Sequence, residues 1–255
     1  MKHSLRKKLL PQLAFYTSLS VFFLFPQLNP IFAAEEVIAI ANQGFDAQSL
    51  NNNSYSMLYV EEWKQEGNGG ADTFNVGYGL APQPTTGENV ARLFSVKING
   101  EYPSDEESSI VHYLFQPLDE YASTNTEYTL TFDVGNPVGG QDGEVVLTAY
   151  LVAGEELNAE QVGQFVWSQP LTSVPDGGFL TDRKASLKVT RSSDTANLPL
   201  QVVFVYENTL TDNTECMATW TDYTNTQYCY QSIAYIDNVR LTAQPIKTTG
   251  NGRKF

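Results

Sequence analysis

Apolar and polar positions alternate along much of this chain instead of recurring every three to four residues. In Tyr128-Thr129-Leu130-Thr131-Phe132 and in Leu187-Lys188-Val189-Thr190 the period is two, as in a strand with one face against a core. Runs rich in β-branched and aromatic residues, bounded by turn residues, predict strands at 37–41, 73–78, 90–97, 109–117, 127–134, 144–152, 165–171, 183–191, 200–207 and 232–243. Gly135 to Gly143 carries four glycines, a proline and an asparagine, and reads as a hairpin loop. Only 158–162 has a helical composition, and it is too short to stand alone. Many strands without an amphipathic helix predict an all-β fold: a two-sheet antiparallel β-sandwich of jelly-roll, carbohydrate-binding-module-like type. The polar stretches 48–56, 66–72 and 81–88 read as loops crowded at one edge.

The N-terminus breaks this pattern. Lys2, Arg6, Lys7 and Lys8 precede an apolar stretch, Leu13 to Phe25, and Ala33-Ala34 offers a small-residue cleavage site. The apolar core is shorter than the roughly 20 residues that span a bilayer, and Pro11 and Pro26 bracket it. Residues 1–34 are therefore expected to be a signal peptide, 35–245 the β-sandwich and 246–255 a polar tail, in a secreted or periplasmic protein with no membrane span. Removing four of the 15 basic residues and none of the 29 acids takes the net charge from −14 to −18. That field repels phosphate backbones and excludes nucleic acid as a partner class. Cys216 and Cys229 are the only cysteines and, in an oxidising compartment, are expected to pair around an aromatic excursion containing Trp220 and Tyr223.

Histidine chemistry is nearly absent. Once His3 leaves with the leader, His112 is the only one left, and in Ile110-Val111-His112-Tyr113-Leu114-Phe115 it reads as a structural strand residue. No phosphate loop, dinucleotide fingerprint or paired-cysteine metal spacing occurs. Carboxylates remain. Asp46 closes Asn42-Gln43-Gly44-Phe45-Asp46, and Asp237 stands in Tyr235-Ile236-Asp237-Asn238-Val239-Arg240-Leu241, each beside a strand-like run. If the first and last strands are neighbours, Asp46 and Asp237, with Asn42 and Asn238 adding amide oxygens, can surround a hard cation such as Ca²⁺, which takes six to eight oxygens. The acidic run Asp105-Glu106-Glu107 reads as solvated charge.

With these residues in place the chain resembles the Stig cyclases of hapalindole and fischerindole biosynthesis and related calcium-binding, carbohydrate-binding-module-like proteins. The resemblance runs from Asn42 to about Pro245. It is carried by Asn42 to Asp46 (the family prefers Glu at the last place), Val76-Gly77-Tyr78, Gly87-Glu88-Asn89-Val90, Tyr128 to Asn136, Leu151-Val152-Ala153-Gly154 and Asp237-Asn238-Val239-Arg240-Leu241-Thr242.

What the resemblance implies is a jelly roll with structural calcium, often a homodimer, whose apolar pocket takes an indole-isonitrile terpenoid through a Cope rearrangement and cyclisation. Such chemistry asks for aromatic walls and one acid to deliver a proton. Trp63, Phe74, Tyr78, Phe94, Trp220 and Tyr235 are the aromatic candidates. Two positions depart from the cyclase pattern: Arg92 stands where a tyrosine is expected, and Tyr235 where an acid is expected two residues ahead of Asp237-Asn238. Asp237, Tyr235 and Arg92 are thus the catalytic candidates, with Asp237 assigned first to the metal. The alternative is a non-enzymatic carbohydrate-binding or extracellular matrix protein, stacking a glycan on Trp63, Trp167 or Trp220.

Overall fold

A computed structural model describes residues 34–51, 55–56, 59–76, 82–98, 100, 109–137, 144–155, 157, 167–190, 193–209, 216, 218–221 and 224–246. Outside them lie most of the expected leader and tail, the 158–162 stretch, Asp105 to Glu107, and Tyr78. The described strands are β1 (Glu36–Ile38), β2 (Lys64–Gly67), β3 (Gly70–Asn75), β4 (Asn89–Ile98), β5 (Ser109–Tyr121), β6 (Thr126–Gly135), β7 (Glu144–Ala153), β8 (Trp167–Pro170), β9 (Phe179–Val189), β10 (Pro199–Thr209), β11 (Ala218–Thr221) and β12 (Gln227–Pro245). One 3-10 turn, Leu171–Ser173, follows β8.

Two antiparallel sheets result. The seven-stranded sheet runs β3-β4-β12-β6-β9, with β1 and β11 also paired to β12, and the five-stranded sheet runs β2-β5-β10-β7-β8. This is the two-sheet β-sandwich expected from the alternation. β12 holds its sheet together, because successive stretches of this one strand pair with β11, β4, β6 and β1. First and last strands are neighbours, with Glu36 opposite Ala243 and Ile38 opposite Leu241.

Inward positions of both sheets build the core. Leu93, Leu130, Phe132, Leu147, Leu151, Phe204 and Leu241 are fully buried there, and Phe132 meets Phe204 edge-on across the sandwich at 5.2 Å. Burying each large side chain contributes roughly 1.5–3 kcal/mol, the main favourable term for such a fold. Trp63 joins this core, its ring 5.6 Å from Phe45 and 5.9 Å from Phe204. It is therefore a packing residue and not a wall of a ligand site, nor can it stack a sugar at the surface.

Some polar side chains also face inward. Tyr206 donates to Ser232, and Asn208 Nδ2 donates to Ser95 Oγ at 2.9 Å and to Ser232 Oγ at 2.7 Å. His112 Nε2 meets Gln65 Oε1 at 3.1 Å, and burial lowers its pKa from 6.5 to about 4. It is the structural strand histidine that its apolar neighbours indicated.

The expected loop at 66–72 is instead the corner where the chain changes sheets, since β2 pairs with β5 while β3 pairs with β4. Gly67 turns it with φ of 116°, and a Cβ there would stand 2.2 Å from the Val111 carbonyl oxygen. Only glycine fits so close a backbone approach. β2 itself, Lys64-Gln65-Glu66-Gly67, is polar throughout and shows no apolar alternation.

Candidate functional site

Outward-facing residues of the seven-stranded sheet form a second cluster, separate from the core. Val90, Phe94, Val96, Ile233 and Tyr235 are buried in it, with Phe74, Phe179, Tyr228 and Tyr230 packed around them. Strand register sets one transverse row across this face. Asp72 on β3 faces Arg92 on β4, Arg92 faces Tyr235 on β12, Tyr235 faces Gly135 on β6, and Gly135 faces Phe179 on β9. A Cβ at Gly135 would lie 2.8 Å from the Phe179 ring and 2.9 Å from Pro82, so the glycine opens the space those rings occupy.

Arg92 is the centre of this row. Its Nε donates to Asp72 Oδ1 at 2.8 Å and its Nη2 to Asp72 Oδ2 at 2.5 Å, a bidentate pair in which both residues are buried. Four rings surround the guanidinium: Phe74 at 4.7 Å, Tyr55 and Tyr230 at 5.3 Å and Phe94 at 5.4 Å from its carbon. Burial opposes the charge, but Asp72 holds the Arg92 guanidinium above its ordinary value. Burial pushes the Asp72 carboxyl up while Arg92 pulls it down. The guanidinium decides the state of the pair: arginine keeps its proton, and a two-pronged contact requires an ionised acceptor. Burial also pushes Tyr230 and Tyr235 up to about 12, so both hydroxyls keep their protons at neutral pH.

A second set of polar residues lies two positions further along β12. Asp237 and Asp133 face each other across β12 and β6, both buried. The segment carrying Thr85 and Thr86 packs on them. Asp237 Oδ2 accepts from Thr85 N at 2.7 Å, Thr85 Oγ1 at 2.9 Å and Thr86 N at 2.9 Å. Its Oδ1 accepts from Thr86 Oγ1 at 3.0 Å and from Asn238 N at 2.6 Å. Burial pushes Asp237 up, against the lowering effect of these bonds. Asp133 Oδ2 accepts from Asn238 Nδ2 at 3.1 Å and lies 2.5 Å from Thr85 Oγ1, sharing that hydroxyl's single proton with Asp237 Oδ2.

Asp46 is exposed and meets the same segment further on. Its Oδ1 accepts from the backbone N–H groups of Glu88 and Asn89, both at 2.9 Å. A Cβ on Gly87 would sit 1.5 Å from its Oδ2, so glycine alone allows that approach. Among the described residues none donates to this Oδ2, and Asp46 lines an open groove of about 560 Å³ with Asn42, Gln43, Gly44, Thr86 and Asn238. Asn42 Oδ1 accepts from Ala47 N at 2.9 Å, and Asn42 and Asn238 both adopt positive φ, which asparagine tolerates well.

Asp46, Asp237, Asn42 and Asn238 are thus brought to one corner, linked through residues 85–89. No group of three or more His, Cys, Asp or Glu side chains poised around a metal occurs among the described residues. The residues lining this groove, Asp46 with Asn42, Gln43, Thr86 and Asn238, carry oxygen donors of the kind a hard cation takes. Asp237 differs, because five protein donors already engage its oxygens.

Phe74, Phe94, Tyr235 and Arg92 are brought together on the outer face. Trp220 lies on β11 with its side chain outside the description. Cys216 and Cys229 form the expected disulfide, tying residue 216 to β12. Asp72, Asp133, Thr85 and Tyr230 were not singled out by sequence. Asp72 sits in the stretch read as a loop, and Asp133 continues the polar outward positions Glu127, Thr129 and Thr131 of β6, so neither carries a signal of its own.

The chain matches the HpiC1-like (HpiC1 cyclase) family model over residues 36–242, and it belongs to that family. Among curated proteins none matches. An apo cyclase from Fischerella sp. superposes with a TM-score of 0.58 at 20% identity, covering 84% of this chain and 98% of that one. A Stig cyclase from Fischerella sp. TAU, in complex with (3Z)-3-(1-methyl-2-pyrrolidinylidene)-3H-indole, gives 0.59 at 20% identity, covering 84% and 100%. A Fischerella sp. TAU cyclase in complex with 4-(1H-Indol-3-yl)butan-2-one gives 0.55 at 20% identity, covering 83% and 99%. At that identity the superpositions establish the shared fold.

Proposed function

We propose that this chain is a cyclase whose outer sheet face binds a small, largely apolar molecule with an aromatic part. The reaction assigned to it is an isomerisation, a rearrangement and ring closure of a terpenoid-indole type substrate. The observation that carries this reading is the transverse row Asp72, Arg92, Tyr235, Gly135, Phe179, where aromatic rings, a charged pair and a glycine that lets the Phe179 ring lie on the sheet share one face. Family membership supports the cyclase class, and the indole compounds held by the Fischerella relatives support the substrate class.

Calcium belongs to the same reading as a structural element. Asp46 and the oxygens of residues 42–44, Thr86 and Asn238 would hold it, with Asp237 beneath fixing the 85–86 segment. Bound there, it would join the first turn to the last strand. An oxidising, secreted or periplasmic setting is supported by the Cys216–Cys229 bond.

The test is direct. Purified protein is incubated with calcium and an indole-isonitrile terpenoid, and products are separated by chromatography with mass detection. Conversion to isomers of unchanged mass, lost in Phe74→Ala together with binding of 4-(1H-Indol-3-yl)butan-2-one, is the expected result. Wild-type protein that leaves the substrate intact and does not bind the indolyl ketone would refute the reading.

A further inference from the structure

We infer that the outer face is built to recognise a neutral hydrogen-bond acceptor, such as a carbonyl oxygen, on an aromatic ligand. This rests on the outer face being the ligand site, and it names the ligand's polar group. Hydrogen-bond supply around Arg92 is lopsided. Both Asp72 oxygens are taken by Nε and Nη2 of Arg92. Arg92 Nη1 and the hydroxyls of Tyr230 and Tyr235 donate to none of the described residues. Both phenols lie close enough to Arg92 to feel its charge, and Tyr230's ring stacks on it. A guanidinium can only donate, and a protonated phenol has one O–H to donate. Arg92 Nη1 and both hydroxyls are thus donors without a described acceptor, beside a carboxylate already committed to Arg92.

Charge then selects the ligand. A cation is disfavoured, because Arg92 already occupies the four ring faces that would otherwise stabilise one. A carboxylate is disfavoured, because Arg92 is neutralised by Asp72 and the chain carries 29 acids against 15 bases. A neutral acceptor meets neither objection. It can pair donors for which the described residues offer no acceptor, while its ring packs against Phe74 and Tyr230.

The experiment compares four ligands of one skeleton by ligand-observed NMR on the full protein: phenylacetone, propylbenzene, phenylacetate and phenethylamine. Phenylacetone is expected to bind about tenfold more tightly than the other three. In Tyr235→Phe and Tyr230→Phe, which keep the rings, that advantage should shrink while propylbenzene binding stays as in wild type. Equal binding of ketone and hydrocarbon, or strongest binding of the amine or the acid, overturns the inference. If the ligands bind without ketone preference and Phe74→Ala still abolishes them, the outer face stands as the ligand site and only the acceptor assignment falls. If none binds, or Phe74→Ala changes nothing, both fall. Unaltered melting of the two phenylalanine variants excludes misfolding as the cause of any loss.

Discussion

Arg92 and Tyr235 are direct cross-strand partners on β4 and β12, and Asp72 stands on the other side of the arginine in the same row. The two positions at which this chain departs from the cyclase pattern are therefore one place in space. A cation and a phenol stand side by side there, and the carboxylate that balances the cation comes from a third strand.

The Asp72–Arg92 pair makes a stability prediction with a sign of its own. Removing one member leaves the other charged and buried, so Asp72→Asn should cost about 3–5 kcal/mol. Replacing both, as Asp72→Leu with Arg92→Met, should cost far less than the single change, since apolar groups of similar volume need no solvation. Urea denaturation of the two variants checks this. A double variant no more stable than Asp72→Asn would mean that the pair contributes net attraction of its own.

His112 should make stability depend on pH. Its folded pKa lies near 4, while the unfolded chain titrates near the ordinary 6.5. Between those values the unfolded state binds a proton that the native state refuses, so stability rises with pH through this window and is complete above it. On acidification from pH 7 to 4 the loss from this group should approach about 3 kcal/mol. His112→Gln should remove it, flattening the difference between variant and wild type. A native-state imidazole that titrates by NMR near 6.5 would contradict the expectation.

Much of the sandwich was legible because alternation survives wherever one strand face is apolar. β6, with Tyr128, Leu130 and Phe132 inward, shows it plainly, whereas β10 is legible as a continuous apolar run, Val202 to Tyr206, buried on both faces. β2 and β11 were illegible, being four residues each and polar or next to a loop. The site was legible only in part. Phe74, Phe94 and Tyr235 are large aromatics at outward positions, but Trp63 has the same composition signal and sits in the core. Which face a residue takes follows from strand register. Asp72 acquires its role only when β3 is laid beside β4, a pairing that no local pattern encodes.

The Cys216–Cys229 bridge spans 13 residues of sequence, and closing a loop of that size is worth about 3 kcal/mol in the chain-entropy model. Reduction should therefore lower the melting temperature without unfolding the sandwich at room temperature, because β12 remains paired to β4 and β6. Melting of Cys216→Ser/Cys229→Ser protein checks this. A variant that melts as wild type would show that the loop is already ordered by β11 and β12.

The last prediction separates the two aspartates that sequence placed together. Asp237 receives five hydrogen bonds from Thr85, Thr86 and Asn238, whereas Asp46 lines the groove and has one oxygen with no donor among the described residues. Wild-type protein should melt higher in millimolar calcium than in excess chelator, because a ligand bound only by the native state stabilises by mass action. Asp46→Asn should abolish that difference while leaving the chelated melting temperature nearly unchanged, since its amide oxygen can still accept from the N–H groups of Glu88 and Asn89. Asp237→Ala should lower stability by about 3 kcal/mol or more whether calcium is present or not, because it strands the N–H groups of Thr85 and Thr86. Equal melting of wild type in calcium and in chelator would remove the metal from this corner and leave Asp237 as a purely protein-bonded anchor. If instead Asp237→Ala proved costly only in the presence of calcium, its carboxylate would be a metal ligand first, and the hydrogen bonds seen here would belong to the metal-free state.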